Sequence, residues 1–206
     1  PDAGLQNSKP EVDSGTFDKR MSLLEKLDGG FRDRFQTAGV KSYTEFYENT
    51  ITLMGSKDLA AFSIADEPTE LREKYGKNKF GQGCLLARRL TEEGVRCVEV
   101  ASGGWDMHND IDGALDDRGA EMDKGVAALI EDLSSRGMLD STIVVLCSEF
   151  GRGPKMNDRG GRDHHPKVFS TLLAGGGIKG GFIYGSSDKG GFEVADKGVT
   201  IQDFLS

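Results

Sequence analysis

Hydrophobic side chains recur at intervals of three and four from Phe17 through Met21, Leu24, Leu27 and Phe31 to Phe35, the spacing that lines up one face of an α-helix. Gly29 and Gly30 interrupt the series, so the pattern predicts two helices over residues 17–47. Tyr43, Phe46, Tyr47, Ile51 and Met54 carry it on across 42–62, with Gly55 as a stop. Pro68 opens a short helix that reaches Tyr75 and Gly76, and residues 80–93 form another, closed by Gly94. The aromatic stripe of this half reads as core.

From Val95 the pattern changes. Residues 95–101 read as a buried strand followed by the turn Ser102-Gly103-Gly104. Residues 113–136 place Leu115, Met122, Val126, Leu129, Ile130 and Leu133 on one helical face, with Gly137 as the stop. Residues 142–150 and 168–174 read as a second and a third strand, and Phe182-Ile183-Tyr184 as a further short one. Strand, long helix and strand predict a right-handed βαβ unit, and near-continuous apolar strands imply a parallel sheet covered on both faces. The expected fold class is α/β.

Composition narrows the reading. At 206 residues, with 36% hydrophobic and 29% charged side chains, the chain has room for a core. No apolar run approaches the roughly 20 residues that cross a bilayer, so no membrane span is expected. Twenty-six Lys and Arg stand against 34 Asp and Glu, a net charge of −8. That balance argues against nucleic acid as a partner, because such binding rests on a basic face that neutralises phosphates. Three cysteines without CxxC spacing exclude a disulfide scaffold, and Cys97 and Cys147, inside strand-like runs, read as small core residues. Glycine is in excess, at 29 residues, and concentrates between 151 and 191, which marks that region as turns and loops. Residues 1–16 are polar, and the chain closes with Thr200 and Asp203 spaced as a capping box at the head of an amphipathic helix. The expectation is a part of a longer protein, incomplete at both ends.

Ligands of an open parallel sheet bind beyond the carboxyl ends of its strands. There the sequence puts Gly104-Trp105-Asp106-Met107-His108, then Ser148-Glu149-Phe150-Gly151-Arg152, then Gly160-Gly161-Arg162-Asp163-His164-His165. All three histidines are on these loops, accompanied by Asp106, Glu149 and Asp163. Two residues apart on an extended stretch, Asp106 and His108 point the same way, and carboxylate oxygen with imidazole nitrogen is the donor pair a divalent ion takes. Arg152 and Arg162 can hold an anion beside it. Three other motifs lack their context. The glycine run at 175–180 is followed by no helix, so it is not a dinucleotide fingerprint. The stretch from His108 has His and Gly119 where a calcium loop needs Asp and Glu. No GxSxG elbow occurs. A thiol hydrolase using Cys147 with His164 is a weaker alternative, because nearby carboxylates disfavour the thiolate.

Several ordered segments together resemble one bacterial family. They are Leu59-Ala60-Ala61-Phe62 with Glu67-Pro68, Arg72-Glu73-Lys74-Tyr75-Gly76, the run from Phe80 to Leu90, the three loop motifs above and Leu172-Leu173-Ala174-Gly175-Gly176-Gly177. The family is the one called "domain of unknown function 1501", and the resemblance covers the chain from about residue 17. That family is similar to the alkaline phosphatase and sulfatase superfamily. The resemblance implies a three-layer α/β/α sandwich with a mostly parallel sheet, of which residues 17–206 would be the C-terminal part, helical over 17–94 and sheet with metal-site loops over 95–206. It implies Asp106, His108, Glu149 and His164 as ligands of a divalent metal (zinc, calcium or manganese); beside them Arg152, Arg162 and Asp163 are the candidate catalytic groups, the arginines offsetting charge that develops in the transition state. Glu149 is followed by Phe150 where the superfamily has a histidine, and His165 stands where the family often has an aromatic residue. The activity implied is that of an exported, extracytoplasmic hydrolase of phosphate or sulfate esters on a small molecule or polysaccharide, its nucleophile lying in a preceding portion. The alternative is a non-catalytic module that keeps the fold and at most one metal.

Overall fold

The computed structural model describes residues 8–206; the first seven residues of the polar N-terminal segment lie outside the described residues. The chain divides into two compact units, one ending at Asp66 and the other running from Glu67 to Ser206.

The first unit is helical. Helix α1 spans Ser14–Arg34 and starts where the Asp13 carboxylate accepts the Thr16 N–H. Helix α2 spans Ala38–Met54, with Thr37 capping Val40 N and Gly55 as its C-cap. The expected break at Gly29-Gly30 does not occur. Glycine in a helix interior costs about 1 kcal/mol against alanine, and the flanking helix formers carry α1 through the pair; it stops where Thr37 begins the next cap. The aromatic stripe is not core either: neither helix buries a residue, and Phe31, Phe35, Tyr43, Phe46 and Tyr47 are exposed.

The second unit is built on three helices, α3 (Thr69–Tyr75), α4 (Lys79–Glu92) and α5 (Ile111–Ser135), with α4 packed on both of the others. Glycine makes the close approach possible. A Cβ on Gly81 would lie 1.9 Å from the Tyr75 carbonyl oxygen, and Phe80 lies against Gly125. Tyr75, Cys84, Leu85, Ala128 and Leu133 fill the space between the helices. Arg88, 1% exposed, sits among them and pairs with Glu67 (2.7 Å), Glu92 (2.6 Å) and Asp132 (3.0 Å). Tyr75 donates its hydroxyl to Asp132 (3.0 Å), and Arg136 closes the network on Asp132 and Glu92. Burial is affordable for these charges because every one of them has an opposite partner.

The strands correct the parallel-sheet expectation. Among the described residues there are three separate two-stranded antiparallel ladders. Strand β1 (Ile143–Leu146) pairs with β4 (Leu172–Gly175), Ile143 opposite Gly175 and Leu146 opposite Leu172. Strand β2 (Gly151–Arg152) pairs with β3 (His164–His165), and β5 (Ser186–Ser187) with β6 (Val194–Asp196). The fold is thus mixed α/β, but no βαβ unit forms and no three-layer sandwich is seen in these ladders. The reason lies in residues 95–101, which form no strand. Val98 and Val100 are half-buried, and Val100 lies where a Cβ on Gly83 of α4 would come within 2.9 Å of it. The apolar alternation of this segment meets a helix rather than a sheet. The continuous apolar character of β1 does not bury both faces: its residues alternate between exposed and half-buried. Residues 182–184 form no strand and are exposed, held between Gly181 and Gly185, both left-handed. Cys97 and Cys147 are exposed rather than core, while Cys84 is buried; all three are free. The terminal capping box is present, Thr200 and Asp203 opening the short helix α6 (Ile201–Leu205).

Candidate metal centre

Two loops build the site. The first runs from Gly104 to the start of α5. Met107 and Ile111 are buried and anchor it, which leaves the flanking Asp106 and His108 facing the same way. Tight turns fold it, with Met107 N–H donating to Trp105 O and His108 N–H to Asp106 O. Asp110 takes a left-handed φ of 39° to enter α5.

The second loop joins β2 to β3 and is organised by Asn157. Its side-chain oxygen accepts from the N–H groups of Arg159 and Gly161, both at 3.0 Å, an Asx-type closure of a glycine-rich turn. Its amide nitrogen donates across to the first loop, at 3.1 Å from His108 O. Arg162 N–H donates to Met107 O (3.1 Å) and Ile111 N–H to Gly160 O (2.9 Å). Gly161 lies directly against the His108 backbone, where a Cβ would come within 2.1 Å of the carbonyl carbon. A glycine is required there by contact.

This stitching brings three donor atoms together. Asp106 Oδ1 lies 3.1 Å from His108 Nε2 and 2.8 Å from His164 Nε2, and the two imidazole nitrogens are 3.1 Å apart. Donors sharing one ion at about 2.0–2.2 Å are roughly 3.0–3.4 Å apart, so two imidazoles and a carboxylate at this spacing fit a divalent metal. Asp106 is held well down, to about 2, by the hydrogen bond to His164 and then that from Arg152. On the far side of the ring, His108 Nδ1 lies 2.9 Å from Asp163 Oδ1. The His108 and Asn157 hydrogen bonds keep the Asp163 carboxyl below its usual range.

The remaining sequence candidates fall around this triad. Arg152 directs one guanidinium nitrogen to Arg162 O (2.9 Å) and the other to both Trp105 O and Asp106 Oδ1, each at 2.8 Å. Arg162 directs its guanidinium to Gly153 O (3.2 Å). Glu149 is exposed and is not one of the three grouped donors; its neighbour Phe150 lies with its ring 4.2 Å from that of His164. His165 alternates with His164 along β3, so it points elsewhere, its Nε2 2.9 Å from Phe192 O and its ring edge-on to Phe192. Sequence reasoning passed over Asn157 and Phe150. For Asn157 the signal was available, in an Asx residue placed three before a Gly-Gly pair; for Phe150 no local pattern points to an imidazole neighbour.

The family described as "Protein of unknown function (DUF1501)" matches residues 2–206, and the chain belongs to it. No curated protein and no solved structure matches the chain.

Proposed function

We propose that this member of the DUF1501 family binds one divalent metal through Asp106, His108 and His164 and is a metal-dependent hydrolase of phosphate or sulfate esters. The observation that carries the reading is the triad itself, three donors from two loops at mutual distances of 2.8–3.1 Å. If His108 donates Nδ1–H to Asp163, its Nε2 lone pair faces the Asp106 carboxylate at 3.1 Å. A cation between the two, a metal ion or a proton, relieves that contact. Two nitrogens and one oxygen suit zinc better than calcium, which takes oxygen ligands.

When bound, such an ion supplies Lewis acidity toward an ester oxygen. This chain's own groups then have distinct tasks. Arg152, fixed by two backbone carbonyls, orients Asp106. Arg162 is the arginine with guanidinium capacity left for the charge of an anionic ester. Phe150 covers one face of His164. The resemblance of the loop motifs to those of the alkaline phosphatase and sulfatase superfamily points to the ester class, and with it to a small-molecule or polysaccharide substrate and an extracytoplasmic site of action. No helix among the described residues is long and apolar enough to cross a membrane.

One observation favours the second reading, a non-catalytic module that keeps the metal. Arg152 commits both terminal nitrogens to protein oxygens, Arg162 O, Trp105 O and Asp106 Oδ1. The deciding experiment loads the protein with zinc or manganese and assays aryl phosphate and aryl sulfate hydrolysis beside His164→Ala. Metal-dependent turnover lost in the variant supports the hydrolase. Stoichiometric metal with no turnover of either ester supports the module.

A further inference from the structure

His108 is held between two carboxylates. Nδ1 meets Asp163 Oδ1 at 2.9 Å, while Nε2 faces Asp106 Oδ1 and His164 Nε2, both at 3.1 Å. Asp163 is itself fixed, because the Asn157 amide nitrogen donates to its Oδ1 (3.4 Å) as well as to the His108 carbonyl (3.1 Å). One asparagine therefore sets the position of the acceptor and of the backbone that bears the ring. The asparagine is locked in turn by the two N–H groups on its oxygen.

An ionised carboxylate can only accept. Both carboxylates offer His108 an acceptor, but Asp163 is the nearer (2.9 against 3.1 Å) and Asp106 lies closer to His164 Nε2 (2.8 Å), so a neutral His108 ring places its proton at Nδ1 and leaves Nε2 with the lone pair that ligates a metal. Without the Asp163 acceptor, imidazole in water favours the opposite tautomer. The side-chain hydrogen-bond partners of Asp163 are His108 and Asn157.

Building on the metal reading above, we propose that Asp163, held by Asn157, is a positioning residue that fixes His108 in its Nδ1-protonated form and aims Nε2 at the metal. It acts through His108 rather than on the reacting atoms.

Two readouts on the whole chain test this. The first is the ring-nitrogen NMR spectrum of the metal-free protein, recorded at rising pH until the imidazole signals no longer change, for the parent, Asp163→Asn and Asp163→Ala. His108 is expected to carry its proton on Nδ1 in the parent and in Asp163→Asn, whose amide oxygen still accepts, and to move toward Nε2 in Asp163→Ala. The second is zinc affinity by competition with a chromophoric chelator. Asp163→Ala is expected to bind 10- to 100-fold more weakly, with much of the loss recovered in Asp163→Asn. A parent protonated on Nε2, or an Asp163→Ala protein that binds zinc as the parent does, overturns the proposal. A parent that binds no zinc removes the metal reading, and the ring spectrum alone then upholds or overturns the positioning role.

Discussion

Gly161→Ala isolates what joins the two loops. Gly161 has no left-handed φ, so alanine meets no conformational penalty there; the obstacle is contact. The new Cβ would lie 2.1 Å from His108 C, 2.2 Å from its O and 2.4 Å from Asn109 N, all backbone atoms that cannot rotate away. Ordinary contact begins near 3.4 Å, so the loops must part by about 1.2 Å. Among the bonds that cross that seam are three at 2.9–3.1 Å: Ile111 N–H to Gly160 O, Arg162 N–H to Met107 O and Asn157 Nδ2 to His108 O. Stretched by that much they no longer count as hydrogen bonds, and at about 1 kcal/mol each the loss is roughly 3 kcal/mol. The same movement separates His164, at the start of β3 where the second loop ends, from Asp106 and His108, on the first. A metal bound by all three would have to restore the closed arrangement, so its affinity should fall by roughly 100-fold, since 1.4 kcal/mol corresponds to tenfold. Competition against a chromophoric chelator measures this, with far-UV circular dichroism to show that α3, α4 and α5 persist. A Gly161→Ala protein that binds metal within about threefold of the parent would refute the reasoning.

Four further outcomes follow from the helical core and the thiols. Arg88→Met leaves Glu67 and Asp132 buried with only part of their compensation, so urea unfolding should show a loss of about 3–5 kcal/mol; an unchanged midpoint would contradict the network's role. Burial alone would raise the Glu67 and Asp132 carboxyls, but Arg88 with Arg89 outweighs it at Glu67, and Arg136, Tyr75 and Arg88 outweigh it at Asp132, so both sit below their usual range. A carboxyl depressed on folding stabilises fully above its unfolded value of about 4 and loses that contribution as pH falls toward the folded one; the urea midpoint should be flat from pH 8 to 6 and drop below pH 4. Gly81→Ala places a methyl 1.9 Å from Tyr75 O and should destabilise the α3–α4 crossing by about 1–3 kcal/mol or more, read as a lower Tm. A thiol reagent should modify Cys97 and Cys147 in the native protein but not Cys84, whose thiol burial pushes up to about 11.

The helices were legible because each has a local cause. Pro68 before α3, Gly94 after α4 and Gly137 after α5 are end signals that act within a turn, and the Thr200–Asp203 box formed as its spacing requires. Strand pairing is not local, and there the reading failed. The apolar run of β1 specifies an extended chain but not which neighbour it finds, and antiparallel pairing with β4 needs only that the loops between them fold back. The glycine of Gly29-Gly30 lowers helix propensity without removing a hydrogen bond, so α1 passed through it. In the site, Asp106 and His108 were legible from their spacing of two. The meeting of His164 with them depends on Gly161 fitting against the His108 backbone and on Asn157 bridging the loops, which no single segment encodes. His165 shows the same limit from the other side: only the alternation of β3 separates it from His164.

The central claim is a metal held by Asp106, His108 and His164. It is tested most directly by measuring zinc and manganese bound per chain in the parent, His108→Ala, His164→Ala and His165→Ala. The account predicts about one ion per chain in the parent and in His165→Ala, and none retained in the other two. A parent that binds no metal, or binding that survives loss of both His108 and His164, would contradict it.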